Sequence, residues 1–285
     1  MKILICLESE HYVHPPILMG NIIAHATQST VDILVVVPEN GHWENGEAVA
    51  RQAQGDLEEI PVNVFLRRGD AYAIYREVLQ NTEYQLVIVH AHRRAGLRQH
   101  VDVESALLDQ SQVSVLLTEN VKPKIGTILL ASACKVNDHS LLRQGANLAQ
   151  QLAAKITLLH VASGSVPTMY TGLNQFDETV SRMLKTDTPF ARHLRKGVEI
   201  LNEKVVSSEV KIRHGVPVEE IVREAQLGNY DLVIVGASGV KEGIKGRLLG
   251  NLTTKIVDQV KLPVMVIGNR SLNLPTPMTG EGSDS

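Results

Sequence analysis

Long apolar runs are missing from this chain. The N-terminal stretch MKILICLESE reaches an acidic residue after five apolar ones, too few for a secretory signal or a membrane span, and no other stretch is long enough to span. Cysteine is scarce as well. Cys6 and Cys134 lie in separate segments without paired spacing, which argues against a disulfide framework or a zinc site and predicts two reduced thiols in or near the core of a cytoplasmic protein. Charge of one sign is lacking too: 28 Lys and Arg against 31 Asp and Glu leave a net charge of -3, so no overall field recruits nucleic acid or an anionic membrane. The common catalytic and nucleotide signatures also fail. The glycines near Lys241 and Lys245 do not have G-x4-G-K-[ST] spacing, no G-x-G-x-x-G follows a first strand, and neither a Ser-His-Asp order nor a paired carboxylate stands out. What is present is a chain of 285 residues, 44% hydrophobic and 21% charged. That is the composition of a soluble globular protein with core enough for one large domain or two ordinary ones.

Strand-like and helix-like periods alternate from the start. Residues 2–7 and 31–37 read as strands around a helix over 15–28, whose Pro15 and Pro16 suit a first turn that needs no N–H partner. A polar loop with Gly41 and Gly46 then leads to a helix over 47–59. Strands at 62–66, 86–89 and 113–117 follow, with a helix over 71–79. The plan restarts after the polar, proline-bearing segment 119–124, which marks the boundary between domains 1–120 and 124–268. In the second copy, strands are expected at 127–131, 156–161, 210–213, 232–235 and 263–267. Leu141, Gly145, Leu148 and Leu152 mark one face of a helix. Thr188-Pro189 reads as a cap and first-turn proline of a helix with the stripe Phe190, Leu194, Val198, Leu201 and Val205. Residues 217–227 form a further helix with Glu219 and Glu220 in its first turn, and 252–260 another. The segment 162–188, with Tyr170 and Phe176, is long enough to be a flap over a pocket or part of an interface. Residues 269–285 are rich in Pro, Ser, Gly and Thr and are expected to be a disordered tail. Strands separated by helices imply parallel neighbours and right-handed crossovers. The fold class is therefore α/β, with two tandem doubly wound five-stranded parallel sheets of Rossmann-like type, and ligands belong past the C-terminal ends of the first and fourth strands of each.

At one such end stands DLVIVGASGVKEGIKGRLLGN, residues 231–251. A buried strand ends at Gly236, a glycine-rich basic loop follows, and a helix begins near Gly250 and Asn251. Bare backbone and an open helix tip suit a phosphate, and Lys241, Lys245 and Arg247 add positive charge. The competing reading is that the glycines serve turn chemistry alone and the cations are a solvated loop.

These residues resemble the universal stress protein family, whose ATP-binding pattern after the fourth strand is G-x2-G-x9-G-[ST]. Gly236, Gly239 and Gly250 match its glycines, although ten residues separate the last two and Asn251 replaces Ser or Thr. HGVPVEEIVREAQLGNYDLVIVGASG and the closing LPVMVIG are also similar to the family, so the resemblance runs from about Lys124 to Gly268. The first half shares the layout but has His90-Ala91-His92-Arg93 where the first two glycines should stand and Glu104-Ser105 near the third. A carboxylate there would repel phosphate, so this half is expected not to bind. Nucleotide-binding members carry an acidic residue just after the first strand. The second half has Ala131-Ser132-Ala133-Cys134 there and no carboxylate before Asp138, whereas the first half keeps Glu8.

The resemblance implies a tandem member in which the two halves pack like the usual homodimer. It would be a cytoplasmic stress-response binding or regulatory module with an ATP or AMP site, with or without Mg, in the second half, read by a protein partner of unknown identity. The candidate ligand residues are Gly236, Ser238, Gly239, Lys241, Lys245, Arg247, Gly250, Asn251 and Thr253, with Val216 and Pro217 beside the adenine. No catalytic base or magnesium carboxylate is evident, so the expectation is no enzyme, or slow ATP hydrolysis at most. Association of whole chains into a homodimer stays open. The alternative is a nucleotide-free interaction or lipid-binding protein with vestigial sites. His90 and His92 would face one side of a strand but lack a third metal ligand, and with Arg93, Arg94, Arg98 and His100 they read as a basic loop.

Overall fold

A computed structural model describes residues 1–10, 12–57, 59–80, 84–91, 112–132, 138–162, 184–204, 207–237, 253–270, 272 and 274. Its first half runs β1 (Lys2–Glu8), α1 (His14–Thr27), β2 (Thr30–Val37), α2 (Trp43–Gly55), β3 (Val62–Arg68), α3 (Ala71–Gln80), β4 (Leu86–His90) and β5 (Ser114–Thr118). The second runs β6 (Thr127–Ser132), α4 (Asp138–Gln151), β7 (Lys155–Ala162), α5 (Pro189–Glu203), β8 (Ser208–His214), α6 (Pro217–Leu227), β9 (Leu232–Gly236), α7 (residues 253–259) and β10 (Val264–Ile267).

Each half contributes five strands, as the alternation predicts, but the two sets form one ten-stranded sheet in the order β3-β2-β1-β4-β5-β10-β9-β6-β7-β8. Pairing is parallel within each half, and the join is antiparallel, with Val264 opposite Leu117 and Val266 opposite Val115. The physical reason is the edge. A strand such as β5, buried along its whole length, would leave a row of unsatisfied N–H and C=O groups if nothing paired with it. In the first half β1 pairs with β2 on one side and β4 on the other, and in the second β6 stands likewise between β7 and β9. Those are the two points where strand order reverses.

Helices cover both faces, which is why the central strands are apolar at nearly every position. Ile3, Ile5 and Leu7 of β1 belong to one layer with Ile17, Met19 and Ile23 of α1, while Leu4 and Cys6 belong to the other with Tyr75 and Leu79 of α3. Cys6 is buried, as expected of a core thiol, and burial pushes it far above the usual thiol range; Cys134 lies outside the described residues. Two glycines let helices approach the sheet closely. A Cβ on Gly20 would come within 2.4 Å of Ile5 Cδ1, and one on Gly145 within 2.2 Å of Leu130 Cδ1.

Three expectations are corrected. The second helix begins at Trp43, and Gly46 belongs to it: its missing side chain makes room for Val37 Cγ2, 2.6 Å from where a Cβ would sit. In α5 the cap holds, with Ala191 N–H donating to Thr188 Oγ1 at 3.1 Å, but the stripe is rotated. Leu194, Gly197, Ile200 and Leu201 are buried and Val198 is half-buried, because Gly197 lets Leu142 and Leu158 close in. The side chains of Phe190 and Val205 lie outside the described residues. The tail, expected to be disordered, starts packed. Leu272 is 1% exposed, its N–H donates to Gln144 Oε1 at 3.0 Å, and Arg270 reaches the Tyr84 carbonyl at 2.8 Å.

Candidate functional site

The C-terminal ends of the second-half strands form a row set by register. Ser132 stands level with His160, and Ala131 with Val235, so Ser132 and Gly236 are the next residues of adjacent strands at the reversal point. Gly236 in turn stands opposite Ile267, and Ala237 N–H donates to the Ile267 carbonyl at 3.0 Å. Among the described residues neither backbone geometry nor packing requires the glycine. Among the described residues Gly69 and Gly215 are the glycines with positive φ, and a Cβ on Gly236 would meet nothing closer than Leu141 Cδ2 at 3.4 Å, an ordinary contact. Gly236 is thus not among the glycines that a positive φ requires.

A second glycine at this rim is conformationally required. Gly215, φ +146°, turns the chain from β8 into α6 while its N–H donates to the Ala162 carbonyl at the end of β7. Val216 follows as the residue before the first-turn Pro217, and its side chain is 54% exposed. Thr253 is buried in the first turn of α7. The structure thus places Gly236, Val216 and Pro217 at one rim. Ser238, Gly239, Lys241, Lys245, Arg247, Gly250 and Asn251 lie outside the described residues, as do Tyr170 and Phe176.

The first carboxylate after β6 in the sequence stands on the next helix. Asp138, in the first turn of α4, accepts a hydrogen bond from Ser132 Oγ at 2.8 Å, and the Ser132 carbonyl lies 3.0 Å from His160 Nδ1. Burial lowers the affinity of His160 for a proton; the Ser132 carbonyl and Asp138 pull the other way, and His214 reinforces the fall. Serine, histidine and aspartate meet here: the imidazole Nδ1 faces the serine carbonyl, and the hydroxyl donates to the carboxylate.

The turn at Gly215 is held by ions that sequence reasoning did not single out. Glu224 of α6, 2% exposed, accepts from Tyr230 at 2.8 Å, Lys211 at 3.0 Å and the Arg213 guanidinium. Burial pushes this carboxyl up, but the three partners outweigh it and hold it below the usual range. Lys211 and Arg213 stand two apart on β8 and so share a face; two cations on one face of a strand were the signal that a buried acid lies opposite.

The first half is built alike up to its rim. Gly69, φ +140°, repeats the turn, its N–H donating to Val37 at the end of β2 as Gly215 donates to Ala162. Ile3 pairs with Leu86 and Ile128 with Leu232, so the five-residue strands β4 and β9 correspond and His90 ends one where Gly236 ends the other. Burial lowers the His90 pKa, partly offset by the Thr118 backbone, Glu119 and Glu8. The end of this strand therefore carries an imidazole where the end of β9 carries bare backbone. Among the described residues no group of three His, Cys, Asp or Glu is placed to hold a metal. His92, Arg93, Arg94, Arg98, His100, Glu104 and Ser105 fall outside them.

Comparison with known proteins agrees with the architecture. A universal stress protein of Methanocaldococcus jannaschii is 28% identical over 121 residues, 42% of this chain and 69% of that one. A functionally unknown protein from Pseudomonas aeruginosa PAO1 superposes with a TM-score of 0.67 at 20% identity, covering 94% of this chain and 92% of its own. A universal stress protein from Archaeoglobus fulgidus superposes with a TM-score of 0.64 at 13% identity, covering 93% and 96%. At those identities the two structures speak for the fold, and both cover both halves. The model of the universal stress protein family matches residues 124–268, just over half of the chain, and the chain belongs to that family.

Proposed function

We propose that this protein is a regulatory binding module that takes an adenine nucleotide, ATP or AMP, at the C-terminal rim of its second half. The carrying observation is Gly236. It ends a strand at the reversal point, it does not have a positive φ, and among the described residues a Cβ there would meet nothing closer than Leu141 Cδ2 at 3.4 Å. A bare backbone kept without a conformational or packing reason fits close approach of a ligand. The basic glycine-bearing segment that follows in sequence, with Lys241, Lys245 and Arg247, suits the phosphates, with or without Mg. The first half, with His90 and its carboxylate neighbours in that place, is the non-binding copy. No helix among the described residues is long and apolar enough to cross a membrane, which accords with a cytoplasmic module read by a protein partner.

Titration calorimetry with Mg-ATP tests the reading. Wild type binds one nucleotide per chain, Gly236→His weakens binding at least tenfold, and His90→Gly leaves it unchanged. One nucleotide lost in His90→Gly but kept in Gly236→His would place the site in the wrong half. An acyl chain, and no nucleotide, found by native mass spectrometry would favour the lipid-binding alternative.

A further inference from the structure

We propose that the outer edge of β3 is a docking surface for a second copy of this chain. The two β3 strands pair antiparallel across a two-fold axis near Val64 and Phe65 and join two ten-stranded sheets; the pairing needs no nucleotide. β3 and β8 end the sheet, so each presents a row of N–H and C=O groups that no strand pairs among the described residues. The two edges are not guarded alike. β8 carries Glu209, Lys211 and Arg213, and its apolar side chains Val210 and Ile212 are half-buried or buried. β3 leaves Phe65 47% exposed in mid-strand, on one face with Asn63 and Arg67. Two more exposed aromatics flank its C-terminal end: Trp43, with Arg68 Cζ 5.7 Å from its ring centroid, and Tyr72 in the first turn of α3. Aromatic residues make up only 4% of the chain, and their grouping with arginines at one edge is the composition of an interface centre.

The charge pattern selects the occupant. In sequence β3 is preceded by Glu58 and Glu59 and ends in Arg67 and Arg68, with IPVNVFL between. Antiparallel pairing of identical strands brings the basic end of each against the acidic approach of the other, and no arginine then stands opposite its own counterpart. Glu59 and both arginines are exposed. Arg67 already meets Glu77 at 3.1 Å, and the Asp70 carboxylate is engaged by the Ala73 N–H at 2.9 Å. Among the described residues Arg68 has no carboxylate partner, which leaves it to meet Glu59 of the partner subunit. The same axis sets Phe65 within reach of Phe65 of the partner subunit, directly or diagonally across the join. Pairing β3 with β8 of another copy is a heterologous contact, which builds rings or filaments rather than a closed dimer.

Sedimentation velocity on the full chain over a micromolar concentration series tests this. Wild type should pass reversibly from monomer to dimer and stop there. Phe65→Lys should weaken the dimer by about tenfold or more, with circular dichroism and melting temperature as in wild type. Arg68→Glu and Glu59→Arg should each weaken it by about threefold or more, and the double variant, which restores opposite charges across the two-fold axis, should recover affinity. Recovery is a readout that loss of folding cannot imitate. Glu209→Lys on β8 should leave the dimer unchanged. A monomer at every concentration, a dimer indifferent to Phe65→Lys, or charge variants whose losses add without recovery overturns the proposal. So does growth past the dimer, or loss of the dimer in Glu209→Lys, either of which would put β8 in the contact.

Discussion

Asp32 is 1% exposed and still charged. Burial pushes its pKa up, but Tyr84 Oη at 2.6 Å, Asn63 Nδ2 at 2.9 Å and Lys2 Nζ at 2.9 Å outweigh it and hold the carboxyl below its ordinary value. The second half solves the same problem with the acid moved. Tyr230 corresponds to Tyr84, each two residues before its strand, and Tyr230 donates instead to Glu224 on α6. Asp231 completes the set, bonded to the Gly126 and Thr127 N–H groups and to Lys122, which together outweigh burial and lower its pKa. Because the folded-state pKa values of all three lie below the unfolded ones, their stabilisation is present above about pH 4 and is lost as pH falls through the folded values. Urea midpoints should therefore drop on acidification below about pH 4. Tyr84→Phe removes a hydrogen bond to a buried carboxylate and should cost about 1.5–3 kcal/mol at neutral pH. Its stability curve should converge on that of wild type in acid, where the carboxylate is protonated in both. A constant gap down to the acid limit would show that the tyrosine acts through packing alone.

At the scale of elements, α2 shows what a glycine in a polar segment can conceal. Its position between charged and polar neighbours read as loop, yet Gly46 lies in the first turns of the helix with Val37 and Leu66 filling the space its side chain would take. Gly46→Ala should destabilise by about 1–3 kcal/mol through overpacking, although alanine favours helix, and the sign of the urea shift decides between the two effects. Much of the rest was legible. The strand and helix alternation, the Thr188 cap and the α6 helix with Pro217 and its first-turn acids follow from local chemistry, and local chemistry is what a sequence displays. The rotation of the α5 stripe was not, because Gly197 owes its burial to Leu142 and Leu158 on other elements. The candidate site divides the same way. Gly236 was visible as a glycine at a strand end, whereas its not needing a positive φ, and the contact of Asp138 with Ser132, depend on register and on where α4 lies against the sheet.

For the whole molecule, the antiparallel β5–β10 join makes one sheet of two repeats, and the segments leaving each half close it from both ends. After β5, Lys122 Nζ reaches Asp231 at 2.6 Å and Asn120 Nδ2 donates to the Lys261 carbonyl at 3.0 Å. After β10, Gly268 N–H donates to Ser114 Oγ, Arg270 N–H to the Gln112 carbonyl and the Arg270 guanidinium to Tyr84 O. Leu272 then joins the core layer that α1 and α4 share. Nothing in the composition of the tail announced this, because two leucines in a polar segment, Leu272 buried and Leu274 packed partly buried against the same layer, suffice to anchor it once two halves present a common seam. A sheet joined in this way should unfold as a unit. The chain has a single tryptophan, Trp43, in the first half, stacked against Arg68 at 5.7 Å. Its fluorescence therefore reports that half, while far-ultraviolet circular dichroism reports both. Leu272→Ala, a deletion from the second half's tail, should cost about 2–5 kcal/mol and shift the Trp43 transition together with the dichroism. If the Trp43 transition stayed in place while the dichroism split in two, the halves would be independent folding units and the seam a contact of little energetic consequence.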